Sequence, residues 1–304
     1  MKEPIQFNEN DDIVEICKDS VFKAVFTKDT PESKGALSKL VSALIGREVS
    51  IIEILANEMP VSSLCDRQVR FDINCEAENG ELINVEMCFN PQKSEPARLE
   101  YHAAKLFISQ DIKGKNKKYK DLLQVYQIAI LAKISFFSDE VFYHSFEYYD
   151  FENKMPLGGK TRIITIELCK LENQVKKSIE EMNAKERWAV FFRYLTQPDK
   201  RGIINGILKH EEGIAMAGEV IRTISRDLRE RLILNSIEKA EMDYRFFMAE
   251  ARDEGLEMGR EMGLEMGRAE GLAAGRREHN KYVLDCISQG LSVEEIKQKL
   301  ENVQ

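Results

Sequence analysis

The 304-residue chain is short of four things: paired cysteines, histidine, long apolar runs and surplus positive charge. Its six cysteines (Cys17, Cys65, Cys75, Cys88, Cys169 and Cys286) include no CxxC pair. That excludes both a zinc-finger pattern and a disulfide framework. Only four histidines occur, none four residues from another, so no histidine-based metal site is expected. The longest apolar run, residues 122–137, contains Gln124, Gln127 and Lys133. It is too short and too polar to span a bilayer. Lys and Arg number 44 against 52 Asp and Glu, a net charge of −8. This excludes a polybasic binder that works by bulk charge, yet a locally basic groove can sit on an acidic protein. Met1-Lys2-Glu3-Pro4 and the acidic stretch after it do not read as a signal peptide. The expectation is a cytoplasmic protein that does not enter the membrane.

What the chain has is a core and much charge. Hydrophobic residues make up 43%, enough to bury a core. Charged residues reach 32% against a usual ~25%, which implies much exposed helix. Helical spacing runs through residues 19–46, broken at Thr30-Pro31 and ended at Gly46. Strand patterns follow over 49–55, 68–77 and 81–89. Helical spacing returns at 96–112. Residues 122–137 fit a buried strand or a buried helix. Strands are expected at 141–151 and 161–168. After 171 the strand signals stop, and 172–250 reads as amphipathic helix interrupted at Gln197-Pro198-Asp199. Trp188, Phe191, Phe192 and Leu195 share one helical face and read as core. The natural division is residues 1–170, a helical region 171–250, and a glycine-repeat helical tail 251–304 with a short C-terminal helix.

The tail carries glycines at 255, 259, 263, 267, 271 and 275, a strict period of four. Six glycines cost a lone helix about 1 kcal/mol each relative to alanine. Two readings stay open: a flexible or partly helical linker, or a close-packed helix interface over residues 251–278 that makes a homo-oligomer. Ser292 and Glu295 have capping-box spacing for a short final helix.

The hairpin around Glu78-Asn79-Gly80 is the most informative segment. A three-residue loop with Gly80 left-handed pairs Ala77 with Glu81 and sets Asp72 opposite Glu86. Alternation then places Asp72, Asn74, Asn84, Glu86 and Cys88 on one face. Phe71, Ile73, Val85 and Met87 take the other. Two carboxylates opposite each other repel unless solvated or neutralised by a cation. A hard ion such as Mg2+ would do this and activate a phosphate; a solvated face with two unrelated acids is the other possibility.

Asp72, a glycine turn and Glu86-x-Cys88 resemble the D…(D/E)-x-(K/Q) core of PD-(D/E)XK nucleases. Further pieces occur in order: Asp19-Ser20-Val21-Phe22-Lys23-Ala24-Val25-Phe26, Glu81 to Met87, Arg98-Leu99-Glu100-Tyr101, Tyr119 to Leu131, and Glu167-Leu168-Cys169-Lys170. With the glycine-repeat tail, they resemble the Rpn family of recombination-promoting, transposase-like nucleases across residues 15–304. The resemblance implies an α/β fold: a restriction-endonuclease-like mixed sheet flanked by helices, with a C-terminal helical extension. It implies a Mg2+-dependent DNA endonuclease with Asp72 and Glu86 as metal ligands and catalytic residues. Asp19 would add a metal-facing acid or cap its helix. Cys88 stands where the family has Gln or Lys. A thiol orients water poorly and suits Mg2+ badly, so a weakened nuclease-fold protein that binds DNA or self-associates is the rival reading. Arg98 and Lys105, about two helical turns apart, would both face the site and its DNA. Lys113, Lys115, Lys117, Lys118 and Lys120 would grip phosphates or form a solvated loop. His102 and His144 read as packing residues.

Overall fold

The computed structural model describes residues 5–56, 71–90, 94–110 and 118–301. Helix α1 (Asp19–Thr27) buries Val21, Phe22, Val25 and Phe26, a 3.6-residue stripe facing the core. Helix α2 (Pro31–Ile45) starts where Thr30 accepts from the Ser33 amide (3.2 Å) with Pro31 behind it. It ends at Gly46, whose left-handed φ of 85° lets its amide reach Ser42 O at 2.9 Å.

Strand β1 (Ile51–Ile54) leads to β2 (Ile73–Ala77) and β3 (Leu82–Cys88). Helix α3 (Glu95–Ile108) then crosses back to β4 (Val125–Leu131), which lies parallel to β3. Every residue of β4 is buried, as befits a strand covered on both faces; the apolar run 122–137 thus holds a strand, over 125–131, and no helix. Strand β5 (Tyr143–Phe146) follows, then the small pair β6 (Tyr149–Asp150) and β7 (Met155–Pro156), then β8 (Thr161–Glu167). The main sheet runs β1-β2-β3-β4-β8-β5, with β3, β4 and β8 parallel and the other pairings antiparallel. It is the expected mixed sheet flanked by helices.

The two faces differ in chemistry. Ile73, Cys75, Ile83, Val85, Met87, Ile128, Ile130, Ile164 and Ile166 join α1 and α2 in the main core. Helices α4 (Ala184–Tyr194), α5 (Arg201–His210) and α6 (Glu212–Arg226) add to that same core through Trp188, Phe191, Phe192, Ile204, Ile207, Ile221 and Ile224. The strands thus end near 171, where the composition changes, and the core continues. Each large side chain removed from water contributes about 1.5–3 kcal/mol. The opposite face presents Asn84, Glu86, Cys88, Gln127 and Thr165 beneath α3.

The chain divides into two compact units, residues 1–238 and 239–304. Helix α7 (Leu228–Ser288) begins in the first, where Lys28 pairs with Glu230 (2.5 Å) and Arg231 with Asp12 (2.6 Å). The second unit holds the rest of α7, which includes all six repeat glycines, and α8 (Val293–Glu301). The glycine stretch is therefore helical. Ser292 and Glu295 cap α8 reciprocally: the Ser292 amide donates to Glu295 Oε2 (2.8 Å), and the Glu295 amide to Ser292 Oγ (3.4 Å). Among the described residues no helix is long and apolar enough to cross a membrane.

Candidate active site

The β2–β3 hairpin forms as its alternation dictates. Gly80 adopts φ 81°, its amide meets Ala77 O (2.8 Å), and the Ala77 amide meets Glu81 O (3.0 Å). Ile73 pairs with Val85 and Asn74 with Asn84; continuing that register sets Asp72 opposite Glu86. Phe71 departs from the expected face. The ladder begins only at Ile73, so alternation does not bind Phe71. It packs with Leu106 and Val125 under α3 and meets the His102 ring edge-on at 5.5 Å.

Asp72 sits at the mouth of the ladder. Lys23 of α1 pairs with its Oδ1 at 2.9 Å, and the Met87 amide donates to its Oδ2 at 3.1 Å. Burial pushes its carboxyl above the usual aspartate range, with the Glu86 charge adding, against partial relief from Lys23. Glu86 is 1% exposed. Asn84 Nδ2 donates to its Oε1 at 2.7 Å, His102 Nδ1 donates to the same oxygen at 2.6 Å, and Arg98 Nη2 lies 2.8 Å from Oε2. Burial alone would raise Glu86, but the His102 hydrogen bond and the Arg98 charge outweigh it, and its carboxyl is held below the usual range. Asn84 also donates to Gln127 Oε1 (2.9 Å) on β4. The repulsion expected between two facing carboxylates is thus met here by two side-chain cations, Lys23 and Arg98.

The Cys88 thiol, one alternation beyond Glu86, is buried beside Glu95 Oε1 and Arg98 Nη2, each at 3.4 Å. Burial, then the charges of Glu86 and Glu95, push it well above a free thiol's range. It remains a neutral thiol at neutral pH. Glu95, at the first turn of α3, is buried and pairs with Arg98.

A family model described as PD-(D/E)XK nuclease family transposase matches residues 16–251. The chain belongs to this family. No curated protein and no solved structure is significantly similar to it. The match spans both the carboxylate pair and the helices that carry its cationic partners.

Within this nuclease-family fold, the expected residues fall as follows. Asp19 is the first residue of α1, one turn before Lys23 on the same side; the cap position is Lys18, which makes no side-chain cap bond. Arg98, expected to face DNA, is engaged with Glu86 and Glu95 instead. The Lys105 ammonium lies 5.6 Å over the Tyr101 ring. Lys113, Lys115 and Lys117 lie outside the described residues. Lys118 precedes, and Lys120 lies within, a single turn, residues 119–121, that leads into the amino end of β4. That end pairs with Leu82, four residues from Glu86 and so about 13 Å along the strand. The turn before β4 therefore enters the sheet at the end of the strand away from Glu86.

The residues not assigned a role from sequence are Lys23, Glu95 and His102. His102, read as packing, is a hydrogen-bond donor to Glu86. Its signal was its position four residues after Arg98, on the same helix face. Glu167 and Lys170 form a buried ion pair at the carboxyl end of β8, and Lys170 also reaches Asp139 at 3.2 Å. This ties the 134–142 loop to β8, since the Phe136 amide also donates to Glu167. On the other flank of α3, a 290 Å³ cavity lies among Leu99, Ala103, Phe136, Phe137, Phe146 and Thr165.

Proposed function

We propose that this chain is a divalent-metal-dependent DNA endonuclease in which Asp72 and Glu86 hold Mg2+. The observation that carries this reading is the cross-strand pair of half-buried Asp72 and buried Glu86 in a nuclease-family fold, with positive groups drawn to both carboxylates. Both residues offer hard oxygen atoms of the kind Mg2+ prefers, so the donor set fits once Lys23 and Arg98 withdraw. Both cations are partly exposed, at 35% and 39%, and can swing to solvent or to a phosphate. The bound ion would polarise the scissile phosphate and acidify the attacking water. The chain's own residues orient the ligands: His102 and Asn84 fix Glu86 Oε1, and the Met87 amide fixes Asp72 Oδ2. Lys23, released from Asp72, becomes a positive group beside the reacting phosphate, where the family pattern would otherwise put Lys or Gln and this chain has Cys88. Asp19 is proposed as an acid near the metal, one turn from Lys23. Lys105, Lys118, Lys120 and the lysines of 113–117 are proposed to attract the DNA backbone away from the cleavage point. A role in recombination and a cytoplasmic location accompany this reading.

A Mg2+-dependent plasmid-nicking assay tests it: Asp72→Ala and Glu86→Ala abolish cleavage while DNA binding at low salt persists. A second reading is favoured by the buried, neutral Cys88: a DNA-binding or self-associating module with little cleavage. In that case clean wild type binds DNA without nicking it, and Cys88→Gln raises activity. Self-association is proposed through residues 251–278, where a Cβ at any of the six repeat glycines would meet nothing within 4 Å.

A further inference from the structure

Beside the Asp72–Glu86 pair lies a second group of donors with different chemistry. Glu86, Cys88 and Glu95 are all buried, and one ligand atom from each lies within 4.8 Å of the others. A single nitrogen, Arg98 Nη2, meets all three: Glu86 Oε2 at 2.8 Å, Cys88 Sγ at 3.4 Å, and Glu95 Oε1. One positive centre inside three converging donors is the arrangement of a cation site.

A separate observation concerns Glu86 itself. Its Oε1 takes the hydrogen bonds of Asn84 and His102, which turns Oε2 toward the cluster. Buried as it is, Oε2 receives no aligned hydrogen bond from any described residue; its contact with Arg98 is one of charge. A buried carboxylate oxygen is costly to leave so served. The Arg98 side chain is 39% exposed, so it can leave the cluster for water on its long stem.

The donor set decides which ion would replace it. Two carboxylate oxygens and one sulfur do not suit Mg2+, which favours six oxygen ligands. They suit borderline ions of the zinc class, which take thiolate and carboxylate together, three protein ligands leaving one open position. We propose that Glu86, Cys88 and Glu95 form a second cation position that takes a thiophilic divalent ion, with Arg98 as the built-in cation that the ion displaces. On binding, the Cys88 S–H bond breaks, its proton passes to bulk water and a sulfur–metal bond forms; no electron changes hands. His102 is a positioning residue through its hold on Glu86. The inference rests on the nuclease reading only in taking Glu86 as a cation ligand.

Cobalt(II), a spectroscopic stand-in for zinc, tests this on the full-length protein without DNA. Titration of wild type is expected to produce a near-ultraviolet thiolate-to-cobalt charge-transfer band at one equivalent. Cys88→Ser, checked for native circular dichroism, loses the band. Glu95→Gln weakens binding by more than about tenfold, the low end of the effect of removing even a supporting group. Arg98→Gln binds more tightly and shows a larger cobalt-induced rise in melting temperature. Wild type without the band at saturating cobalt overturns the proposal, whether or not the other variants fold. A band that survives in Cys88→Ser, whose other cysteines would then be its source, overturns it equally. Because no DNA is present, failure here leaves cleavage through Asp72 and Glu86 to be judged by the nicking assay.

Discussion

At the residue scale, Asp72 and Glu86 are opposite cases of one problem, a carboxylate near the floor of a sheet. Asp72 is raised by burial, so its charged form opposes folding. The stability tied to its protonated form is complete below the ordinary aspartate value and disappears as pH rises through the raised one. Glu86 is lowered, so its contribution is present above the ordinary glutamate value and is lost as pH falls through the depressed one. Isosteric amides should therefore act with opposite sign. Without divalent metal at pH 7, Asp72→Asn is expected to stabilise the fold, because burial disfavours the charged carboxylate and the amide removes that charge. Glu86→Gln is expected to cost about 2 kcal/mol, the scale of lost charge-assisted hydrogen bonds. Urea melts at pH 7 and below pH 4 check both; the gain from Asp72→Asn should vanish in acid. Two shifts of the same sign at pH 7 would contradict this account of the electrostatics.

At the scale of elements, the hairpin turn sets the chemistry. The register was legible in the sequence because apolar alternation and Gly80 pointed to one pairing, and a one-residue slip would send every side chain to the wrong face. Gly80→Val tests this. It forces a β-branched residue to φ 81° and brings a Cβ to 2.6 Å from Leu123 Cδ1, so a loss of about 1–2 kcal/mol or more is expected. Deleting Asn79 should shift the register by one, part Asp72 from Glu86, and end cleavage in a protein that still shows strand circular dichroism. What the sequence left open was lateral. Lys23 reaches Asp72 across 49 positions of chain, and Arg98 and His102 reach Glu86 only because α3 lies back across the sheet. No periodicity reports that a helix on the polar face will supply cations. The same physics explains Phe71, whose side is set by the hollow under α3 and not by strand alternation.

At the scale of the whole molecule, a net charge of −8 is compatible with a nuclease because attraction is local and the site carries its own cations. The composition change at 171 marked the end of the strands, while the core ran on through Trp188, Phe192 and Ile221. The glycine repeat was legible as a repeat. Its helical state was legible only as one of the open readings of the residues, because six glycines lower helix propensity and neighbouring Glu, Arg, Met and Leu restore only part of it; the family resemblance pointed to a helical tail. If residues 251–278 mediate self-association, a fragment ending at Glu238 should elute as a monomer in light scattering while the full chain has at least twice its monomer mass. Equal monomeric behaviour of the two would remove the tail as an interface.

The central claim is that Asp72 and Glu86 cleave DNA together, and plasmid nicking in Mg2+ tests it most directly. Wild type is expected to convert supercoiled to nicked circles. Asp72→Asn and Glu86→Gln are each expected to fall by about a hundredfold or more, the result of losing a few kcal/mol of charge stabilisation at the phosphate. Nicking that persists in either folded variant at the wild-type rate, or its absence in clean wild type at any Mg2+ concentration, would contradict the account.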